Sequence, residues 1–319
     1  MSLRRVIRAL LAVLVTAAVA VPLTAAARPG IPAPAPAALP PVTATTLEQA
    51  YAANRANAEL AARMAAAHGD AHRATADREL AAPSRKLLSF DGRGAGRVTE
   101  VFGDLARADR VAVLVPGSDT SLDTYERFHE AAASLHRRLA RQAPAGTSTA
   151  VLAWLGYTTP GTVSATVVTR DRADEAAPSL REFLRGLRVL AGPDTRVTLL
   201  CHSYGSVVCG RAADGLDVED LVLVGSPGTG ADSAAGLRTR ARVWAARGAD
   251  DWVAEVPHVS VDLFGTTVGF GTDPVSPSFG ARVFTAGDGG HSDYFRPGSV
   301  SLANLSRIVL GETGEVTRA

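Results

Sequence analysis

Val197-Thr198-Leu199-Leu200-Cys201-His202-Ser203-Tyr204-Gly205-Ser206 is the stretch on which the reading of the whole chain turns. Its first four residues form a short apolar run of the kind buried on both faces of a parallel sheet. Small residues follow, and then Val207 and Val208 begin a helical pattern. A strand that turns sharply into a helix exposes the side chain at the turn and sets it beside the helix N-terminus, where free N–H groups favour a developing negative charge. A serine in that place suits nucleophilic attack, so Ser203 is the expected nucleophile and the backbone N–H of Tyr204 an expected oxyanion donor. Cys201 stands where this kind of turn more often has a glycine, and cysteine is small enough to be accepted there.

Outward from this segment, short apolar runs alternate with helical stretches. Strands are expected near residues 111–115, 151–154, 197–200, 221–224, 243–245 and 282–285, and helices near 122–140, 174–190, 203–213 and 302–310. That alternation implies an α/β fold: a mostly parallel central sheet with helices on both faces, preceded by an N-terminal helix. Ligands then belong at the carboxyl ends of the strands, which is where Ser203 falls. Gly92, Gly94 and Gly96 lack the strand, helix and spacing of a phosphate loop and predict a hairpin turn instead.

A serine hydroxyl needs a base to take its proton, and the base in turn needs an orienting acid. Beyond the last expected strand the only histidine is His291, in Gly289-Gly290-His291-Ser292-Asp293-Tyr294. His202 adjoins the serine on a tight turn and is assigned a packing role, while His258 is a lesser rival. The acid is expected on the loop after the strand 243–245, where Asp250 and Asp251 stand together. Asp251 is favoured because it lies two residues before the apolar Val253, and Asp250 is the alternative. A second oxyanion donor is expected from Gly117 or Ser118, in the loop that follows the strand 111–115.

The 319-residue chain has a net charge of +1, and 20% of its residues are charged, which gives no basis for a nucleic-acid partner. Arg4, Arg5 and Arg8 precede an apolar run over residues 9–21 and the small residues Ala25 to Ala27, the layout of a signal peptide over residues 1–27. The apolar run is shorter than the roughly 20 residues a spanning helix needs; an uncleaved anchor is the other reading, and the export route stays open. Without Arg4, Arg5 and Arg8 the net charge becomes −2. Ala-Pro steps over residues 28–45 predict an extended linker, and the alanine-rich segment 46–82 an accessory helical segment, with a capping box at Thr46-Leu47-Glu48-Gln49 and docking pairs Leu47 with Tyr51 and Leu60 with Met64. The two cysteines, Cys201 and Cys209, straddle the serine; a disulfide and two buried thiols are both open. No metal-ligand spacing is present, and neither a metal nor a cofactor is expected.

These residues resemble the α/β-hydrolase superfamily over residues 87–312. Leu114-Val115-Pro116-Gly117, Trp154-Leu155-Gly156-Tyr157, Cys201-His202-Ser203-Tyr204-Gly205 and Gly290-His291-Ser292-Asp293-Tyr294 are similar to an actinobacterial α/β-hydrolase family of unknown function. The resemblance implies a catalytic triad of Ser203, His291 and Asp251 or Asp250, and acyl transfer through an acyl-enzyme. The expectation is a secreted or envelope-associated serine hydrolase acting on small carboxylic esters. Peptide or amide cleavage is the alternative within the same fold, and a non-catalytic cell-envelope binding module is the alternative outside it. Oligomeric state is not legible.

Overall fold

The computed structural model describes residues 30–162, 169–256, 261–263 and 266–319. The expected signal peptide and His258 lie outside the described residues. In chain order the structure runs α1 (Leu47–Ala67), α2 (Ala71–Leu80), β1 (Leu87–Asp91), β2 (Arg97–Gly103), β3 (Arg110–Val115), α3 (Tyr125–Gln142) and β4 (Thr149–Leu155). It continues with α4 (Asp171–Ala191), β5 (Arg196–His202), α5 (Gly205–Ala212), β6 (Asp220–Val224) and β7 (Arg242–Ala246). The short pair β8 (Val261–Leu263) and β9 (Thr266–Val268), then β10 (Arg282–Val283) and α6 (Val300–Leu310), complete it.

Eight strands form one sheet in the order β1-β2-β4-β3-β5-β6-β7-β10. β2 pairs antiparallel with both β1 and β4, and every other pairing in this sheet is parallel. The expected α/β architecture is therefore the observed one. Side chains alternate between two cores as a period of two requires: Val111, Val113 and Val115 of β3 enter one cluster, Ala112 and Leu114 the other. The first cluster is covered by α4 and α5 through Leu180, Leu184, Val207 and Val208, the second by α3 and α6 through Leu135, Leu139, Leu305 and Ile308.

Several boundaries differ from expectation for local reasons. The helix after the serine starts at Gly205, because the serine itself sits in the turn. The stretch from residue 122 is first a 3-10 turn, Leu122–Thr124, and only then α3. The last strand has two residues in the sheet; the Phe284 N–H still donates to the Ala245 carbonyl of β7 at 3.0 Å, while Phe284 also bridges to Arg318. β8 and β9 had no counterpart in the sequence reading.

The N-terminal segment departs further. Thr46 precedes α1 but makes no side-chain cap; its hydroxyl accepts from the Thr43 N–H at 2.9 Å. Leu47 and Tyr51 are buried as expected, whereas Leu60 is 40% exposed and does not dock. Ala58, Ala61, Ala62 and Ala65 face inward instead, and a methyl-sized side chain is what lets α1 approach Gly92 closely. Residues 30–42 have no regular structure, in keeping with their Ala-Pro steps, yet they are not a loose tether. Ala33 packs on the second core, and the Asn57 side chain donates to the Ala35 carbonyl at 2.9 Å.

Cys201, at the end of β5, and Cys209, in α5, form a disulfide with Cα atoms 6.5 Å apart, both fully buried. It ties the strand to the helix across Ser203. Closing so short a loop restrains the unfolded chain by about 2.5 kcal/mol on the loop-entropy model. The Cys201→Ala/Cys209→Ala variant should therefore lose about 2–3 kcal/mol in urea unfolding, and the unfolded wild type should show no free thiol until a reductant is added.

Candidate active site

Five loops converge at the carboxyl ends of the sheet: those after β3, β5, β6, β7 and β10. This is where parallel α/β folds place their ligands. Ser203 occupies the turn after β5 with φ of 54°, in the left-handed region where a residue with a side chain needs support. Support comes from close packing. The Ser203 N–H donates to the Val224 carbonyl at 3.0 Å. At Gly205 an added Cβ would stand 2.6 Å from the Val115 and Pro116 carbonyl oxygens, so only glycine lets α5 begin against the loop after β3.

The structure brings three of the expected residues into one hydrogen-bonded chain. His291 Nε2 lies 2.8 Å from Ser203 Oγ, and His291 Nδ1 lies 2.9 Å from Asp251 Oδ1. Since an ionised carboxylate only accepts, Nδ1 carries the proton and Nε2 is left to accept from the serine hydroxyl. Asp250 is exposed; it is Asp251 that meets the imidazole. Local sequence explains the choice, because Asp251 also caps the 3-10 turn Trp252–Glu255 by accepting from the Val253 N–H at 2.9 Å.

Asp251 has a further donor. The Tyr294 hydroxyl bonds to Asp251 Oδ2 at 2.5 Å and accepts from the Gly248 N–H at 3.0 Å. Burial pushes the Asp251 carboxyl up, but hydrogen bonds from His291, Tyr294 and the Val253 amide more than offset it, and the net shift is downward. The acid is thus held ionised beside the imidazole. Gly225, after β6, completes the floor: its φ is 56°, and an added Cβ would come within 2.8 Å of Asp251 Oδ2 and 3.1 Å of His291 Nδ1. Tyr294 and Gly225 were given no role from sequence. Tyr294 stood in the quoted glycine-rich segment, but a bond to a residue 43 positions away leaves no local signal.

His202 is placed beneath the base. Its Nε2–H donates to the His291 carbonyl at 2.7 Å, and the two rings are 4.7 Å apart. Burial, then the neighbouring His291, lowers its pKa to about 4 from an ordinary 6.5. This is the packing role expected of it, with a hydrogen bond to the backbone of His291 added.

Gly117 abuts Ser203, since an added Cβ would lie 2.5 Å from Ser203 Cβ. Among the described residues the amides of Tyr204, Gly117 and Ser118 have no backbone acceptor. All three border a cavity of about 650 Å³ that Ser203 and His291 also line. Phe128, Pro227, Trp252, Val256, Phe270 and Phe295 make its wall largely apolar. Trp252 is 52% exposed, with its ring 4.8 Å from that of His291.

An alpha/beta hydrolase family model matches residues 91–261, more than half of the chain. The chain belongs to this alpha/beta hydrolase family. The match takes in Gly117, Ser203 and Asp251 but stops short of His291 and Tyr294. Two uncharacterised Mycobacterium tuberculosis proteins are similar to it. Rv2079 is 32% identical over 252 residues, covering 70% of this chain and 38% of that protein. Rv0963c is 31% identical over 159 residues, covering 47% and 56%. The chain thus spans less than two thirds of the length of the curated relatives it matches. Among solved structures, XC6422 from Xanthomonas campestris, described as an a/b serine hydrolase without lid, is 16% identical with a TM-score of 0.42, over 72% of this chain and 94% of that one. Esterase PE8 is 17% identical with a TM-score of 0.46, over 67% and 97%.

Two predictions follow from the geometry. Asp251→Asn should lower the rate of serine modification by about 10⁴-fold through loss of the imidazole tautomer, while Asp250→Asn should leave it within about twofold, as read by stopped-time labelling with a serine-reactive probe. The second concerns acid stability. Because His202 titrates lower when folded than unfolded, the unfolded chain binds the extra proton between pH 6.5 and about 4. Stability is unaffected above that window and falls as pH drops through it, by about 3 kcal/mol in all from this group. Urea unfolding at pH 7, 5.5 and 4 should show that fall in the wild type and a shallower one in His202→Gln.

Proposed function

We propose that the chain is an exported serine hydrolase that cleaves small carboxylic esters through an acyl-enzyme. The observation that carries the reading is the hydrogen-bonded chain from Ser203 Oγ through His291 to Asp251, set at the mouth of an apolar cavity. In the proposed reaction His291 Nε2 takes the hydroxyl proton as Ser203 Oγ attacks the ester carbonyl carbon. The carbonyl oxygen becomes an oxyanion held by the Tyr204 N–H and an N–H of Gly117 or Ser118. The C–O bond to the leaving group then breaks, and the imidazolium returns the proton to the departing alkoxide. Water, deprotonated by His291 in the same position, attacks the acyl carbon; the bond to Ser203 Oγ breaks, the imidazolium returns its proton to Oγ, and the carboxylic acid leaves.

An apolar wall favours an acyl or alkyl group over a charged one, since polar groups buried without partners are costly. Ester cleavage is preferred to amide cleavage because an alkoxide leaves more readily than an amine and asks less of the general acid. The disulfide supports export, because such bonds persist in oxidising compartments and are uncommon in the cytosol. Together with the leader-like residues 1–27, it favours an extracellular or envelope location.

The test is labelling of the purified protein with a fluorophosphonate, followed by hydrolysis of p-nitrophenyl acetate and butyrate beside a peptide anilide. Labelling should appear in the wild type and vanish in Ser203→Ala and His291→Ala, and the esters should turn over faster than the anilide. A folded wild type that neither labels nor hydrolyses either substrate would sink the catalytic reading and leave a binding module.

A further inference from the structure

We infer that the helical pair α1–α2, acting through Arg73, braces the loop that supplies the second oxyanion donor, so that Arg73 is a positioning residue for the reaction; this rests on the serine hydrolase reading. Arg73, in α2, is 1% exposed. A buried guanidinium is tolerated only when its donors are met. Here its Nε donates to Asp123 Oδ1 at 2.6 Å and its Nη2 to Asp123 Oδ2 at 2.9 Å, a bidentate pair. Nη1 donates to the Gly92 carbonyl at 3.1 Å, and Nη1 and Nη2 both reach the Gly94 carbonyl at 3.2 Å. His72 Nε2 adds a bond to the Asp123 carbonyl at 3.1 Å.

Asp123 belongs to the 3-10 turn Leu122–Thr124, which directly follows the loop of Gly117 and Ser118. Grip passes backward along that loop. Thr124 Oγ1 accepts from the Ser121 N–H at 3.0 Å and donates to the Asp119 carbonyl at 2.7 Å. Asp119 has φ of 58°, a conformation that a residue with a side chain keeps only when its surroundings enforce it. From the other side the Asp119 N–H is held by the Pro160 carbonyl at 3.0 Å. The Asp119 carboxylate also accepts from the Thr162 N–H at 3.0 Å, so Ser118 hangs between Gly117, pressed on Ser203, and an Asp119 gripped from the Arg73 side through Thr124 and from the other by Pro160 and Thr162. Leu122 is locked as well, since it lies so near Gly96 that an added Cβ there would overlap it at 2.2 Å.

An oxyanion donor works only when its direction is fixed before charge develops, and loss of one such donor costs about 10²–10³ in rate. Loosening Arg73 should misdirect the Ser118 amide without touching the triad. Its mark is a lower kcat per probe-titrated serine with KM little changed, whereas a merely structural loss would lower the titre of active serine and leave that kcat alone.

The experiment compares full-chain wild type, Arg73→Ala, Arg73→Lys and Asn54→Ala. Asn54 is the control because it ties the same helical pair to β1, through the Leu87 and Leu88 carbonyls at 3.0 Å each, away from the oxyanion loop. Hydrogen exchange of the 117–124 peptide is read beside kcat and KM for p-nitrophenyl butyrate. Arg73→Ala should exchange faster over 117–124 and lose about 10- to 100-fold in kcat, with KM nearly unchanged. Arg73→Lys, which keeps the charge without the fork, should fall between, and it carries the comparison if Arg73→Ala does not fold. Asn54→Ala should lower the melting temperature and leave kcat alone. Unchanged exchange over 117–124 in the arginine variants, wild-type kcat in them, or an equal kcat loss in Asn54→Ala would overturn the brace. If the wild type neither labels nor hydrolyses, the hydrolase reading has failed, and exchange alone decides whether Arg73 holds the loop.

Discussion

The backbone of Ser203 lies in a conformation that costs free energy, and the surrounding structure is organised to enforce it. A left-handed serine is kept only if strand, helix and neighbouring loop leave it no alternative. β5 supplies direction, α5 supplies the reversal, and Gly205 lets the two meet against the carbonyls of Val115 and Pro116. The Cys201–Cys209 bond ties strand to helix around the same turn. Five successive parallel strands, β3, β5, β6, β7 and β10, then carry the loops whose ends must meet at that hydroxyl. A shift of any of these strands by one residue would turn its buried faces about and pull its loop away.

A second constraint follows from burial. Asp251 is 2% exposed, and an uncompensated carboxylate there would take up a proton and cease to orient the base. Three donors prevent this, two of them from residues that also serve the fold: the Val253 amide in its 3-10 turn and the Tyr294 hydroxyl, itself tied to Gly248. His202 shows the opposite solution. It is kept neutral by burial and spends its one N–H on the backbone of His291. The two groups share a single end: an imidazole whose proton sits on Nδ1 and whose ring does not wander.

Much of this was legible in the sequence because it rests on local pattern. Short apolar runs alternating with helical stretches, the small residues beside Ser203 and the last histidine in the chain each have a signature within ten residues or so. Asp251 was distinguished from Asp250 by its place before Trp252-Val253, and the physical basis is a cap that only the second aspartate can make. What stayed hidden depends on distance along the chain. Gly225 looks like any loop glycine until the triad is seen above it, and Tyr294 gains its meaning from a partner far away. Leu60 misled for a related reason: pairing by helical spacing was sound, but the packed face of α1 belongs to alanines, whose small size matters more than their hydrophobicity. The proline-rich strip was read as a tether from composition, whereas an apolar strip beside an alanine face has somewhere to lie.

The two sides of the proposed oxyanion site are held by different physics. On the Tyr204 side the amide belongs to the start of α5, a helix fixed covalently to the strand before it, so its direction survives any change that leaves the disulfide and the sheet intact. On the Ser118 side nothing covalent intervenes. The loop is held on one face by the ion pair of buried Arg73 with Asp123 and by carbonyl contacts from a helical pair outside the matched family region, and on the other by Thr159, Pro160 and Thr162. Such an ion pair contributes little net stability, since desolvation offsets most of the attraction, but it is highly directional. That is the property a donor site requires. On the proposed reading the N-terminal segment belongs to the frame of the oxyanion loop and is not an appendage to it, because the sheet and the disulfide fix only the Tyr204 amide.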